Sequence, residues 1–74
     1  MKTILLHKEP VELFKILKFE GIVDSGGRAK SVIAAGEVKL NDNVELQKRK
    51  KVVAGDIIEY QGEKFVMALA EPSN

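Results

Sequence analysis

The sequence predicts an α+β domain, with two short helices packed on a small curved sheet of four to five short, mostly antiparallel strands. Three observations predict it. The apolar pattern has a helical period between residues 10 and 35 and a period of two from residue 37 onward. Turn residues punctuate the second half at Asn41-Asp42-Asn43, Ala54-Gly55-Asp56 and Gln61-Gly62-Glu63. The chain has 74 residues and no cysteine, so no disulfide staples it and one packed core has to hold it together.

Taken in order, Lys2 to His7 has an aliphatic centre and reads as a short strand. Pro10 suits a first helical position, where its missing N–H costs nothing. From Pro10 to Phe19, Leu13, Phe14, Ile16 and Leu17 fall on one side and Glu12, Lys15 and Lys18 on the other. Gly21 is a left-handed stop. Ser25 is an N-cap whose hydroxyl can accept from an unpaired first-turn N–H. The second helix runs from Gly26 to about Ala35, with Ala29, Val32 and Ile33 inward, and Gly36 closes it. Two glycines in its first turn cost about 1 kcal/mol each relative to alanine, so they need a reason. Val38 and Leu40, then Val44 and Leu46, alternate with polar residues around the Asn41-Asp42-Asn43 turn and form a hairpin. Ile57 to Tyr60 and Lys64 to Leu69 are further strands. Residues 1–70 make one domain, and 71–74 a loose tail.

Composition narrows the function classes. Hydrophobic content of 45% with 31% charged residues fits a folded domain rather than a disordered tail. Without cysteine and with a single histidine, His7, there is no thiolate metal site, no His pair and no Cys–His dyad. Ser25 and Ser31 have no neighbouring base, and the carboxylates are scattered among lysines as surface pairs. Ser25-Gly26-Gly27-Arg28 lacks the Gly-Lys-Ser/Thr ending of a nucleotide loop. The expectation is therefore no enzyme, no catalytic residue, no metal and no cofactor. The apolar run Ile4-Leu5-Leu6 is far too short for a signal core or a membrane span, which makes the cytoplasm the expected location.

Net charge is +1 and uninformative, but its distribution is not. Residues 28–51 carry seven cations against three acids, a net of +4, whereas residues 52–74 are net negative. A polyanion responds to the local field within a Debye length of about 8 Å. The middle third is where a partner is expected.

Four pieces together resemble a known family. They are Leu13-Phe14-Lys15-Ile16-Leu17, the run Ser25-Gly26-Gly27-Arg28-Ala29-Lys30-Ser31-Val32-Ile33, Gly36-Glu37-Val38-Lys39-Leu40-Asn41, and Val53-Ala54-Gly55-Asp56-Ile57-Ile58. In order and spacing they resemble an S4 RNA-binding domain, most closely the short free-standing bacterial forms. The resemblance covers roughly residues 10–60. It implies an αL motif, the helix pair packed on the sheet, and a structured RNA partner of ribosomal or transfer type, within a larger RNA–protein complex. Two positions depart from the pattern: Gly26 stands where many S4 domains carry Arg, and Asn41-Asp42 replaces the usual Asn-Gly turn.

The residues themselves suggest how an RNA would be held. The second helix begins with unpaired N–H groups and about half a positive charge, which suits a phosphate. Ser25, Gly26 and Gly27 would let a backbone approach, with Arg28 and Lys30 bracketing the anion. The alternative is that the glycines only permit a tight turn between helices. Lys48-Arg49-Lys50-Lys51 is the strongest local signal, because four adjacent cations require an anion or full solvation. If extended, it would put Lys48 and Lys50 on one face and Arg49 and Lys51 on the other. Lys39 on the hairpin could add to the candidate patch, although a lone strand lysine is more often just solvent-facing, and Asn41 could bond a base or a 2′-OH, although turn formation explains it equally well. Phe14 and Phe65 read as core, and Phe19, at the helix end, is the one ring that could be exposed. With no row of exposed rings, recognition by shape and phosphate is expected. The rival readings are a protein-interaction module using Glu59, Glu63 and exposed strand edges, and a duplex DNA binder.

Overall fold

The computed structural model describes residues 1–70. The elements run β1 (Lys2–Leu6), β2 (Val11–Glu12), α1 (Leu13–Phe19), α2 (Gly26–Ala34), β3 (Val38–Leu40), β4 (Asn43–Val44), β5 (Lys51–Val52), β6 (Ile57–Tyr60) and β7 (Glu63–Leu69). Five strands form one sheet in the order β1-β7-β6-β3-β4, while β2 and β5 make a separate two-stranded ribbon. Every pairing is antiparallel except β1 with β7, where Ile4 lies opposite Met67 in parallel register. The α+β reading, with two helices on a mostly antiparallel sheet, describes this architecture. The expected tail at 71–74 lies outside the described residues; Ala70 is held by its N–H to the Leu6 carbonyl at 2.8 Å.

One sheet face and the inner sides of both helices share a single core. Val38, Ile58 and Met67 meet Leu13, Leu17 and Ile33, all essentially without solvent contact. Ala29, Val32 and Ile33 are the buried residues of α2, as their spacing predicts. The helices end in the same way. Gly21 (φ 69°) and Gly36 (φ 77°) take the left-handed position that a Cβ disfavours. Gly21 N–H donates to Lys18 O and Ile22 N–H to Leu17 O; Gly36 N–H donates to Ile33 O and Glu37 N–H to Val32 O. Both are Schellman stops, which satisfy carbonyls the helix leaves open.

Two local expectations are corrected, and the conformation of the basic run, which the sequence leaves open, is decided. The first helix begins at Leu13, not Pro10, because Val11 and Glu12 pair with Val52 and Lys51. A ladder to a distant segment has displaced a local first turn. The return strand of the first hairpin covers only Asn43–Val44, not 44–47. The two-residue turn between them is as expected, with positive φ at Asn41 (52°) and Asp42 (69°), the geometry that fits a twisted hairpin. Finally, the basic run is not one extended strand. Lys50 N–H donates to Gln47 O at 3.2 Å, so the chain turns through Lys48 and Arg49 before entering β5.

Candidate nucleic-acid interface

The basic turn is fastened to the start of α1. That helix has no side-chain cap: Glu12 occupies the N-cap without a side-chain hydrogen bond. Two of its first N–H groups find partners elsewhere. Leu13 N–H donates to Lys50 O at 2.9 Å and Phe14 N–H to Lys48 O at 3.0 Å. The carbonyls of the cationic run thus serve as the cap of α1, which removes two otherwise open donors. The backbone of residues 48–50 is fixed while its side chains stay exposed.

The consequence is convergence around one ring. Phe14 is half-buried against the core rather than inside it. Lys30 Nζ lies 4.8 Å from its centroid, with Lys15 Nζ and the Arg49 guanidinium carbon each at 6.0 Å. These cations come from α2, α1 and the basic turn, and all lie within the reach of a cation–π attraction. Among the described residues, Arg28, Lys30 and Lys48 to Lys51 form no ion pair with an acid. Their charges are therefore not cancelled by direct contacts.

At the start of α2, the Ser25 hydroxyl accepts from Arg28 N–H at 3.0 Å and Ala29 N–H donates to Ser25 O. Among the described residues, the N–H groups of Gly26 and Gly27 have no partner. Both glycines have negative φ or extended backbone, and a Cβ would make only ordinary contacts, with Lys18 Cδ at 3.6 Å for Gly26 and Ser25 Oγ at 4.0 Å for Gly27. The turn between the helices does not need glycine at either position, so that explanation of their cost falls away. The Lys18 stem lies across this end of α2, and its Nζ sits 5.6 Å from the centroid of Phe19, which is 68% exposed.

Other expected residues are placed apart. Arg28 and Lys30 sit about 160° apart around α2, so Arg28 lies on the flank away from Phe14. Lys39 alternates with buried Val38 and Leu40 and so projects from the sheet face opposite the core, in register with Glu59. Asn41 is a turn residue: its side chain donates to Asp56 Oδ1 at 3.0 Å and accepts from Ile57 N–H at 2.9 Å. Both ends of its amide are used within the fold. Of the acids in the rival docking surface, Glu63 is bound to Lys2 at 3.2 Å and Glu59 is half-buried between Lys39 and Lys64 in register.

Sequence reasoning missed Phe14, Lys15 and Glu12 as members of the basic surface. Phe14 at the edge of an apolar stripe, followed directly by a lysine, was the signal that could have found them. Glu12 is a carboxylate set among these cations. It pairs with Lys15 at 3.1 Å. The hydrogen bond from Lys15 holds its carboxyl below the usual glutamate value, helped by the charges of Lys15, Arg49 and Lys51 and opposed by partial desolvation. The stabilisation this brings is present above about pH 4.3, the ordinary glutamate value, and is lost as pH falls through the lowered one. Glu12→Gln is expected to flatten the acid limb of the stability curve. It should also raise affinity for a polyanion roughly two- to fivefold, by removing a repulsive charge. Acid-dependent melting and a binding titration check the two halves, and weaker binding by the variant would contradict the second.

Known proteins resemble this chain in sequence and in fold. A family model described as "S4 domain" matches residues 4–68. "Putative RNA-binding protein YbcJ" of Escherichia coli (strain K12) is 48% identical over 63 residues, covering 84% of this chain and 90% of that protein. "Probable ribosome maturation protein RlbA" of Bacillus subtilis (strain 168) is 32% identical over 59 residues, covering 80% of this chain and 83% of that one. The solution structure of E. coli YbcJ, described as revealing an αL motif involved in RNA binding, superposes with a TM-score of 0.70 at 43% identity, over 92% of this chain and 87% of that chain. In sequence and in fold, this chain belongs to the S4 domain family.

Proposed function

We propose that this protein binds structured RNA through a cationic surface centred on Phe14 and catalyses no reaction on it. The observation that carries the reading is the meeting of Lys15, Lys30 and Arg49 around one half-buried ring, from three separate segments and beside the rest of the 48–51 cluster. Scattered solvated cations would have no reason to converge. The open amides of Gly26 and Gly27 offer a further phosphate contact at the start of α2, whereas Arg28 stands exposed on the other flank of that helix. Phosphate contacts of this kind read backbone shape, and the few exposed rings leave little for stacking successive bases. Its likeness to a protein named for ribosome maturation supports a ribosomal RNA target within a larger RNA–protein complex; transfer RNA is the other target that the family resemblance implies. We place this activity in the cytoplasm; no helix among the described residues is long and apolar enough to cross a membrane.

The test is filter binding of a synthetic RNA stem–loop across a salt series. Neutralising roughly three to five phosphates predicts a log–log slope of about −2 to −4. Unlabelled stem–loop RNA is expected to displace the probe, and matched duplex DNA to compete poorly. Equal competition by the DNA would favour the duplex DNA reading. No binding at low salt would defeat the nucleic-acid reading altogether.

A further inference from the structure

We propose that Phe14 is a positioning residue for RNA binding, whose ring holds Lys30 and Arg49 in one phosphate-binding set. The inference rests on the RNA-binding reading above and assigns a role that the cations alone do not have. Long cationic side chains are costly to order, and much of that cost falls on binding when they are free beforehand. A ring face lowers it by holding the cation electrostatically in place. Phe14 is suited to this in three ways. It is packed against the core, so the ring is a fixed object rather than a mobile one. It is only half-buried, so one side remains open to charge. Its own N–H is bonded to Lys48 O, which ties the ring and the basic turn into one rigid unit.

The three cations differ in their hold on the ring. Lys30 is nearest, at 4.8 Å, and is itself half-buried with no acid partner among the described residues. Arg49 lies at 6.0 Å and is exposed. Lys15 lies at the same distance but is engaged by Glu12 at 3.1 Å. Lys30 and Arg49 are therefore the pair that the ring presents to an anion. Being anchored on different segments, they can bracket one stretch of sugar–phosphate backbone between α2 and the basic turn.

Phe14→Leu keeps apolar bulk against the core and removes the π-face. Stem–loop RNA is expected to bind it about fivefold more weakly. The salt slope should be shallower by about 0.7 to 0.9, the change that follows when one phosphate is no longer neutralised. Phe14→Tyr restores a ring and is expected to bind within about twofold of the parent protein. A purely structural role for Phe14 would lower the melting temperature without changing the salt slope of the folded fraction. Should Phe14→Leu not fold, Phe14→Met, of similar reach and without a ring, takes its place in the same comparison. Lys30→Ala and Arg49→Ala separate the positioning role from the surface it serves. If both weaken binding but Phe14→Leu matches the parent in affinity and slope, the positioning role is overturned and the RNA surface stands. If neither alanine variant weakens binding, the surface itself is misplaced and the role of Phe14 falls with it.

Discussion

Arg49→Glu is expected to weaken binding of a stem–loop RNA roughly 100-fold at low salt, while leaving the melting temperature within about 2 °C of the parent. The reasoning has two parts. Loss of the guanidinium removes a charge-assisted contact to phosphate, which costs about tenfold in affinity. Placing a carboxylate there adds repulsion of similar size, and it would stand near Glu12, the acid already among these cations. The fold is indifferent to the change because Arg49 is exposed and the turn is held by backbone bonds, from Lys50 N–H to Gln47 O and from Leu13 and Phe14 N–H to Lys50 and Lys48 O. Screening should narrow the gap between variant and parent as salt rises. Lys64→Glu makes the same change in net charge on β7, where Lys64 pairs with Asp42 at 3.5 Å. It is expected to cost less than about threefold, an effect of the distant field alone. Equal losses for the two variants, measured by filter binding, would mean that RNA senses total charge and no particular surface.

The second large effect is on stability. Leu17→Ala is expected to cost about 2–5 kcal/mol, because a fully buried leucine leaves a cavity as well as losing its transfer free energy. Leu17 sits in the core shared by the helices and the sheet, and its carbonyl accepts from both Ile22 and Val23 N–H at 3.0 and 3.1 Å. A domain of this size has little reserve, since typical stabilities start near about 5 kcal/mol. The melting temperature followed by circular dichroism should fall by roughly 10–30 °C. Leu5→Ala on the outer face of β1, at 56% exposed, should stay within about 0.5 kcal/mol. Comparable losses at Leu17 and Leu5 would mean that the core lies elsewhere.

The parts of this molecule that were legible in the sequence are those governed by neighbours a few residues apart. Ala29, Val32 and Ile33 share a helical face at any tertiary arrangement, and all are buried. Ser25 caps α2 because a serine hydroxyl reaches the N–H three residues on, here Arg28 at 3.0 Å. Gly21 and Gly36 stop the helices because the residue after the cap takes a left-handed conformation that glycine adopts without the penalty of a Cβ. The candidate surface was legible only as a set of cations. The charge pattern offers both Lys39 and Lys30 to it, yet one projects from the outer sheet face and the other lies over Phe14.

The errors share a cause. Pro10 to Glu12 has a helical pattern, but Val11 and Glu12 exchange bonds with Val52 and Lys51, far along the chain. Phe14 reads as core from its stripe, although the edge of that stripe is where the basic turn docks. An extended basic run would have divided its charges between two faces; the turn at Gln47–Lys50 was set by the amides of α1 that it caps.

What the sequence determined by itself was the inventory: two helices, short strands, their stops, and a middle third with an excess of cations. Those follow from local sterics, periodicity and charge count, which need no knowledge of distant residues. The tertiary structure alone decided the parallel pairing of the first strand with the last, the capping of α1 by the carbonyls of Lys48 and Lys50, and the gathering of Lys15, Lys30 and Arg49 at one ring. Each of these joins segments far apart in the chain. Such contacts form only when burial of the whole core brings the segments together, and no local preference encodes them.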